Sequence, residues 1–182
     1  MKKAIGIVLA GFLTVSSASA ADIFYERTEK LWTVFGIAND GEKNPACIAQ
    51  QSWKDGSLMQ VIKDLADSEL YIFLKNMEWQ ISDDPGTYSM RVNAYVENEI
   101  FGFTFDYNLV PKNSITVRGI KEDKFVPIFA KAKEMRFIMP GTITNATIKL
   151  HGSNRAIDFI IECMDKFKNS GLNRSTKKGT NL

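Results

Sequence analysis

The 182-residue sequence predicts an α+β fold that is mostly β: an antiparallel sandwich or half-open barrel, with a C-terminal helix packed on it and one disulfide. Three observations carry that expectation. Short period-two runs, punctuated by Asn-Asp-Gly, Asp-Gly and Pro-Gly turns, recur from residue 31 to residue 150. The stretch 150–163 leaves a strand through Gly152 and enters an amphipathic helix. Two cysteines, Cys47 and Cys163, lie one in an early strand and one in that helix. A parallel α/β sheet needs helical crossovers between successive strands, and the pattern does not supply them.

Residues 1–20 read as a secretory signal peptide. Lys2 and Lys3 form the basic start, Ala4 to Val15 the apolar run, and Ala18-Ser-Ala20 the cleavage pattern. The apolar run is too short to span a bilayer comfortably. A periplasmic or secreted product cleaved after Ala20 is therefore expected, with a single β-rich domain over 21–171 and a basic tail over 172–182. A hydrophobic content of 45%, with 11% aromatic residues, argues against disorder. Of 23 basic and 21 acidic residues, loss of Lys2 and Lys3 leaves 21 against 21. Five basic residues and no acid follow Asp165, so residues 21–165 carry about −5. An acidic body gives no support to nucleic-acid binding, whose basic footprint belongs on the folded domain. The tail's charge suits an anionic lipid surface or an acidic partner, but a solvated, poorly ordered terminus is the favoured reading.

The elements follow in order. Residues 21–30 are a polar lead-in suited to an edge strand. Leu31 to Phe35 is the first strand, with Trp32 and Val34 on one face and Leu31, Thr33 and Phe35 on the other. Asn39-Asp-Gly41 turns, and Ala46 to Trp53 is a strand holding Cys47. Lys54-Asp-Gly-Ser57 turns into Leu58 to Lys63, and Asp64 to Ser68 turns into Glu69 to Lys75. Residues 76–87 form the longest irregular connection, anchored by Trp79 and Ile81, with Asp83-Asp84-Pro85-Gly86 as its turn. Tyr88 to Val96 and Ile100 to Tyr107 alternate cleanly and pair through Glu97-Asn98. Ser114 to Arg118 is a short strand. Lys124 to Glu134 changes period and reads as a short helix, with Asp123 as N-cap and Pro127 in its first turn. Met135 to Met139 and Thr142 to Leu150, separated by Pro140-Gly141, are the last strands.

Ser153 is a natural N-cap for the closing helix. Ala156, Ile157, Ile160, Ile161, Met164 and Phe167 recur at helical spacing as its apolar stripe, Cys163 sits at the stripe's edge, and Gly171 is a plausible stop. Two cysteines in an exported chain are expected to pair. Closing a loop of about 116 residues stabilises by roughly 5 kcal/mol in the chain-entropy model. Free thiols are the alternative, as is a metal on Cys47, Cys163 and His151, but three ligands without a clustered motif make a poor site.

Four pieces of the chain resemble a loose group of small exported alphaproteobacterial proteins: Trp32-Thr-Val34, Cys47, Asn76-Met-Glu-Trp79, and Leu150-His-Gly-Ser-Asn-Arg-Ala-Ile-Asp-Phe-Ile-Ile-Glu-Cys163. The closing piece fits the pattern Leu-x-Gly-[Ser/Thr]-x-Arg-Ala-[Ile/Leu]-x-x-[Ile/Leu]-x-x-Cys. The resemblance implies a β-rich fold, a paired cysteine and a terminal helix. It implies no activity, and no functional residue carries over. The long basic tail departs from the group's pattern.

No catalytic set is read from the residues. His151 and Ser153 are neighbours two apart and do not face each other, and no Gly-x-Ser-x-Gly elbow is present. The carboxylates Asp83, Asp84, Glu122 and Asp123 fall in turns, without the spacing of a calcium loop or the opposition of a glycosidase pair. No cofactor is expected. Arg155, in the first turn of a helix whose dipole disfavours a cation there, calls for an internal carboxylate or a ligand anion. Phe101, Phe103, Phe105 and Tyr107 form an aromatic row that is core or, failing that, a ligand-binding face. The expected function is non-enzymatic protein binding in the periplasm or outside the cell, of inhibitor, immunity or envelope-assembly type. Trp79, Asp83, Asp84, Tyr95 and Arg155 are the candidate surface. A small-molecule or lipid-binding β-cup is the second reading, and a hydrolase the third.

Overall fold

The computed structural model describes residues 23–38, 44–66, 69–79, 87–110, 113–138 and 145–170. The expected signal peptide, the Asn39-Asp-Gly41 turn, Ile81, the Asp83–Gly86 turn, the Pro140-Gly141 turn, the Gly171 stop and the basic tail lie outside these residues.

Ten strands form one antiparallel sheet among the described residues. They are β1 (Ile23–Glu29), β2 (Trp32–Ile37), β3 (Ala46–Ser52), β4 (Leu58–Asp64), β5 (Leu70–Lys75), β6 (Thr87–Val96), β7 (Glu99–Val110), β8 (Ser114–Val117), β9 (Glu134–Ile138) and β10 (Ala146–Lys149). The spatial order is β1-β2-β3-β4-β5-β8-β7-β6-β9-β10. The first five strands pair in chain order as an antiparallel meander. The long β6–β7 hairpin then enters reversed, so that β8 pairs with β5 and β9 pairs with β6. Helix α1 (Glu122–Lys131) lies between β8 and β9, and α2 (Ser153–Asn169) follows β10. Both helices cover the sheet's inner face, as the mostly-β reading with a packed terminal helix expects.

Alternation decides which side is inside. Trp32 and Val34 of β2, Met59 and Val61 of β4, Ile72 and Leu74 of β5, and Met90, Val92 and Ala94 of β6 are all buried. The aromatic row of β7 belongs to the same interior. Phe103 and Phe105 meet Phe125 of α1 at ring-centroid distances of 5.8 and 6.1 Å, Phe125 stacks on Phe129, and Phe129 meets Trp32 edge-on at 5.6 Å. The face that a β-cup reading needs open is thus packed against α1.

Both helices begin differently from their sequence expectation. Helix α1 starts at Glu122, so Asp123 is not its N-cap and Pro127 lies inside the helix, beyond the first turn. Lys121 is the cap residue and contributes no side-chain cap. A tertiary contact anchors the helix start: Glu122 pairs with Lys63, a lysine of the inner face only 7% exposed, and an acid in the first turn also suits the dipole. Helix α2 is capped by Gly152, whose φ of 86° is left-handed, a conformation that costs glycine little. A Cβ there would also approach the Lys30 side chain at 3.4 Å. Ser153 is instead the first helical residue. Its buried hydroxyl donates to the carbonyl of Phe129 at 2.9 Å, satisfying an otherwise orphaned group in the last turn of α1. The serine joins two helices rather than capping its own.

Cys47 and Cys163 form the expected disulfide, with Cα atoms 6.1 Å apart. The bond corrects the expected stripe. Cys163 is fully buried and central, flanked by Ala156, Phe159, Ile160 and Phe167, while Ile157 and Met164 are half-buried and Ile161 is 53% exposed. Hydrophobicity alone could not choose between Phe159 and Ile161; the covalent tether fixes the rotation. Gly36 of β2 makes room for it. A Cβ there would come within 2.5 Å of the Phe24 ring and 2.8 Å of Cys163 Sγ.

Candidate binding surfaces

The candidate residues read from the sequence do not share one element. Trp79 follows β5 and is 3% exposed, within the core rather than on a recognition loop. Tyr95 is half-buried on the outer face of β6, with the Arg136 guanidinium 4.8 Å above its ring. Arg155 lies on α2, where its Nε donates to Glu29 at 3.2 Å and its NH1 to Asp158 at 3.0 Å; its charge also sits over Phe159. The hydrogen bond it donates to Glu29's carboxylate, then that to Asp158, strengthens its hold on the proton. Internal carboxylates therefore take the place of a ligand anion. Asp83 and Asp84 lie outside the described residues.

His151 is exposed in the turn before α2, while Ser153 is buried with its hydroxyl committed to Phe129. Cys47 and Cys163 are oxidised. No group of three or more His, Cys, Asp or Glu side chains suited to a metal occurs among the described residues. No described helix is long and apolar enough to cross a membrane.

The outer face of the sheet is where the residues diverge from an ordinary solvated surface. Register places Phe35 opposite Ile48, Ile48 opposite Ile62, and Ile62 opposite Tyr71, one apolar row across β2, β3, β4 and β5. The next row is Thr33, Gln50, Gln60, Phe73 and Thr116, in which Gln60 donates to Gln50 at 2.7 Å. A shallow concavity of about 270 Å³ is lined by Gln60, Ile62, Tyr71, Phe73, Thr116 and Arg118. The exposed Arg118 guanidinium stacks 5.1 Å above Tyr71 and has no carboxylate partner among the described residues. Sequence reasoning missed this surface. Its signal is that Leu70-Tyr-Ile-Phe-Leu74 is apolar on both faces, the mark of a strand covered on both sides.

The other outer half is polar. Arg91 donates to Asn93 across the space over Gly102, and Glu134 bridges Arg136 and Lys149. The hydrogen bond from Lys149, with that from Arg136, holds the Glu134 carboxyl below its usual range.

A second concavity, of about 200 Å³, opens where the β3–β4 turn, the exit of β5 and the start of β10 meet. Its floor is fastened. Asp55 accepts the backbone N–H and hydroxyl of Ser57, both at 2.9 Å, and Ser57 Oγ accepts Met77 N–H at 3.1 Å. The first of these bonds contributes most to holding the Asp55 carboxyl below its ordinary value.

No protein-family model matches the chain, and no curated protein matches it significantly. Among solved structures, the crystal structure of invasion associated protein B from Bartonella henselae is similar in fold, with a TM-score of 0.52 and 17% sequence identity. The likeness covers 78% of this chain and 99% of that one. At this identity it shows the shared fold alone.

Proposed function

We propose that this chain is an exported, non-enzymatic binding domain of the bacterial envelope or its surroundings, docking another protein on the outer face of β2–β5 and β8. The observation that carries the reading is the apolar row Phe35–Ile48–Ile62–Tyr71 on a face that alternation assigns to solvent. Arg118 at its end, stacked on Tyr71 and lacking a carboxylate, gives the partner's chemistry: an apolar segment with an acidic group beside it. Export rests on the signal-like residues 1–20. The fold shared with invasion associated protein B and the Leu150–Cys163 motif both support kinship with the small exported alphaproteobacterial group.

The test is a photo-crosslinking residue placed at Thr116, inside the concavity, and at Thr104, on the polar half, in the protein expressed in its own host. A discrete adduct at Thr116, absent at Thr104 and lost on Arg118→Glu, is the expected result. Equal labelling at both positions, or an adduct indifferent to Arg118→Glu, contradicts the reading.

A further inference from the structure

We propose that the 200 Å³ cleft between the β3–β4 turn, the exit of β5 and the start of β10 is a saccharide subsite that takes one pyranose ring. The proposal does not rest on the docking face, which lies on other residues. One tryptophan, the half-buried Trp53, lines the cleft with its ring partly open, while Trp79 packs beneath it as part of the core. An indole offers the flat apolar surface on which the C–H face of a sugar ring packs. Four polar residues at the cleft have side-chain groups that no protein group satisfies among the described residues: the Lys75 ammonium, the Asn76 amide nitrogen, the Glu78 carboxylate and the Thr147 hydroxyl. Asn76 Oδ1 is already committed, accepting Glu78 N–H at 2.9 Å, which fixes the amide beside the cleft.

The mixture of signs selects the ligand class. An anion is opposed by Glu78 and Asp55, and a cation by Lys75. An apolar ligand would take water from the polar groups at the rim and return no hydrogen bond in its place. A hydroxyl both donates and accepts, so a ring of hydroxyls suits a rim that carries both donors and acceptors. Size narrows the class further. A cleft of about 200 Å³ is below the roughly 300–1,000 Å³ of drug-sized sites, which suits one ring rather than a buried chain. The bonds joining Asp55, Ser57 and Met77 hold two of the three walls in place before any ligand arrives.

The experiment is a titration of the isotope-labelled secreted chain with D-glucose, D-galactose and N-acetyl-D-glucosamine, and separately with glycine, reading the Trp53 indole and Asn76 amide resonances. At least one hexose is expected to give a saturable shift with a dissociation constant on the order of 1 mM. Trp53→Ala should weaken that binding by about tenfold or more, the equivalent of one lost packing contact, with Trp53→Phe restoring part of it. Thr147→Val and Glu78→Gln, both at exposed positions, should each weaken it several-fold while the thermal melt stays unchanged. No saturable shift with any of the three sugars overturns the proposal. So does a response to glycine in place of the sugars, or sugar binding indifferent to both exposed substitutions.

Discussion

The two halves of the sheet's outer surface are built from strands of the same kind and end up with opposite chemistry. Across β2 to β5 the outward positions hold the apolar row Phe35, Ile48, Ile62 and Tyr71 beside the mixed row Thr33, Gln50, Gln60 and Phe73; across β6, β9 and β10 they hold mainly polar residues, Arg91, Asn93, Arg136, Glu134 and Lys149, with Tyr95 and Ile138. Inside, both halves are mostly apolar, with Lys63 and Gln51 the buried polar exceptions on the first. The second half follows the apolar-in, polar-out rule of a sheet with one wet face, and the first breaks it. Single exposed apolar residues such as Ile100, at 60%, are ordinary on any surface; the register-aligned row differs in being continuous, with Phe35, Ile62 and Tyr71 half-buried around a buried Ile48. The halves also differ in how they are held. The first is clamped by α2 and its disulfide, the second by the aromatic stack of α1.

Removing the clamp has the largest expected effect. In Cys47→Ala/Cys163→Ala, with the bridged residues 116 apart, about 5 kcal/mol of stability is expected to go, read from the denaturant midpoint. If the halves are held separately, amide exchange should accelerate most in α2, β2 and β3 and least in the β6–β7 hairpin; uniform acceleration would break the distinction. Gly36→Ala probes the same joint more gently. Its methyl would collide with Phe24 and Cys163 Sγ, for an expected loss of about 1–3 kcal/mol. Ser153→Ala tests the seam between the two helices: leaving the buried Phe129 carbonyl without its donor should cost about 1–2 kcal/mol by chemical denaturation. An ordinary helix N-cap would give a similar figure, so the distinguishing readout is faster exchange at the last turn of α1.

Alkaline titration sharpens the picture at the α2–β1 contact. Burial first, then the hydroxyl's hydrogen bond to Glu162, raises the Tyr25 pKa from 10.0 to about 12. A raised folded-state value means that the stabilisation is complete below pH 10 and is lost as pH climbs toward 12. Wild type should therefore lose stability over that window more steeply than Tyr25→Phe, as thermal melts at stepped pH would show. The smallest change in stability is expected on the outer face itself, where Ile62→Lys and Ile100→Lys should each shift stability by under about 1 kcal/mol.

Much of this architecture was legible from the sequence. Alternation located most strands to within a residue or two, although β7 runs three residues past the expected Tyr107 and β10 is Ala146–Lys149 where Thr142 to Leu150 is expected, and it paired Trp32 with Val34 on one face of β2. The expectation of export anticipated the disulfide that forms. What stayed hidden depends on partners distant in the chain. Nothing local says that β8 slots between β5 and β7. The start of α1 is set by Lys63, 59 residues before Glu122, and the rotation of α2 by Cys47. The outer apolar row was hidden for a related reason. Each strand shows a few apolar residues on its second face, and only the pairing register aligns them into one surface. Trp79 looked like a loop anchor available for recognition because its burial is imposed by neighbours across the fold.

The comparison of faces turns on whether the aligned row is occupied by a partner in the living cell. The direct measurement is the yield of the Thr116 crosslinked complex in three backgrounds: wild type, Ile62→Lys and Ile100→Lys, with folding checked by circular dichroism. The account expects Ile62→Lys to abolish the adduct and Ile100→Lys to leave it intact. An adduct that survives Ile62→Lys, or that both substitutions remove equally, would contradict it.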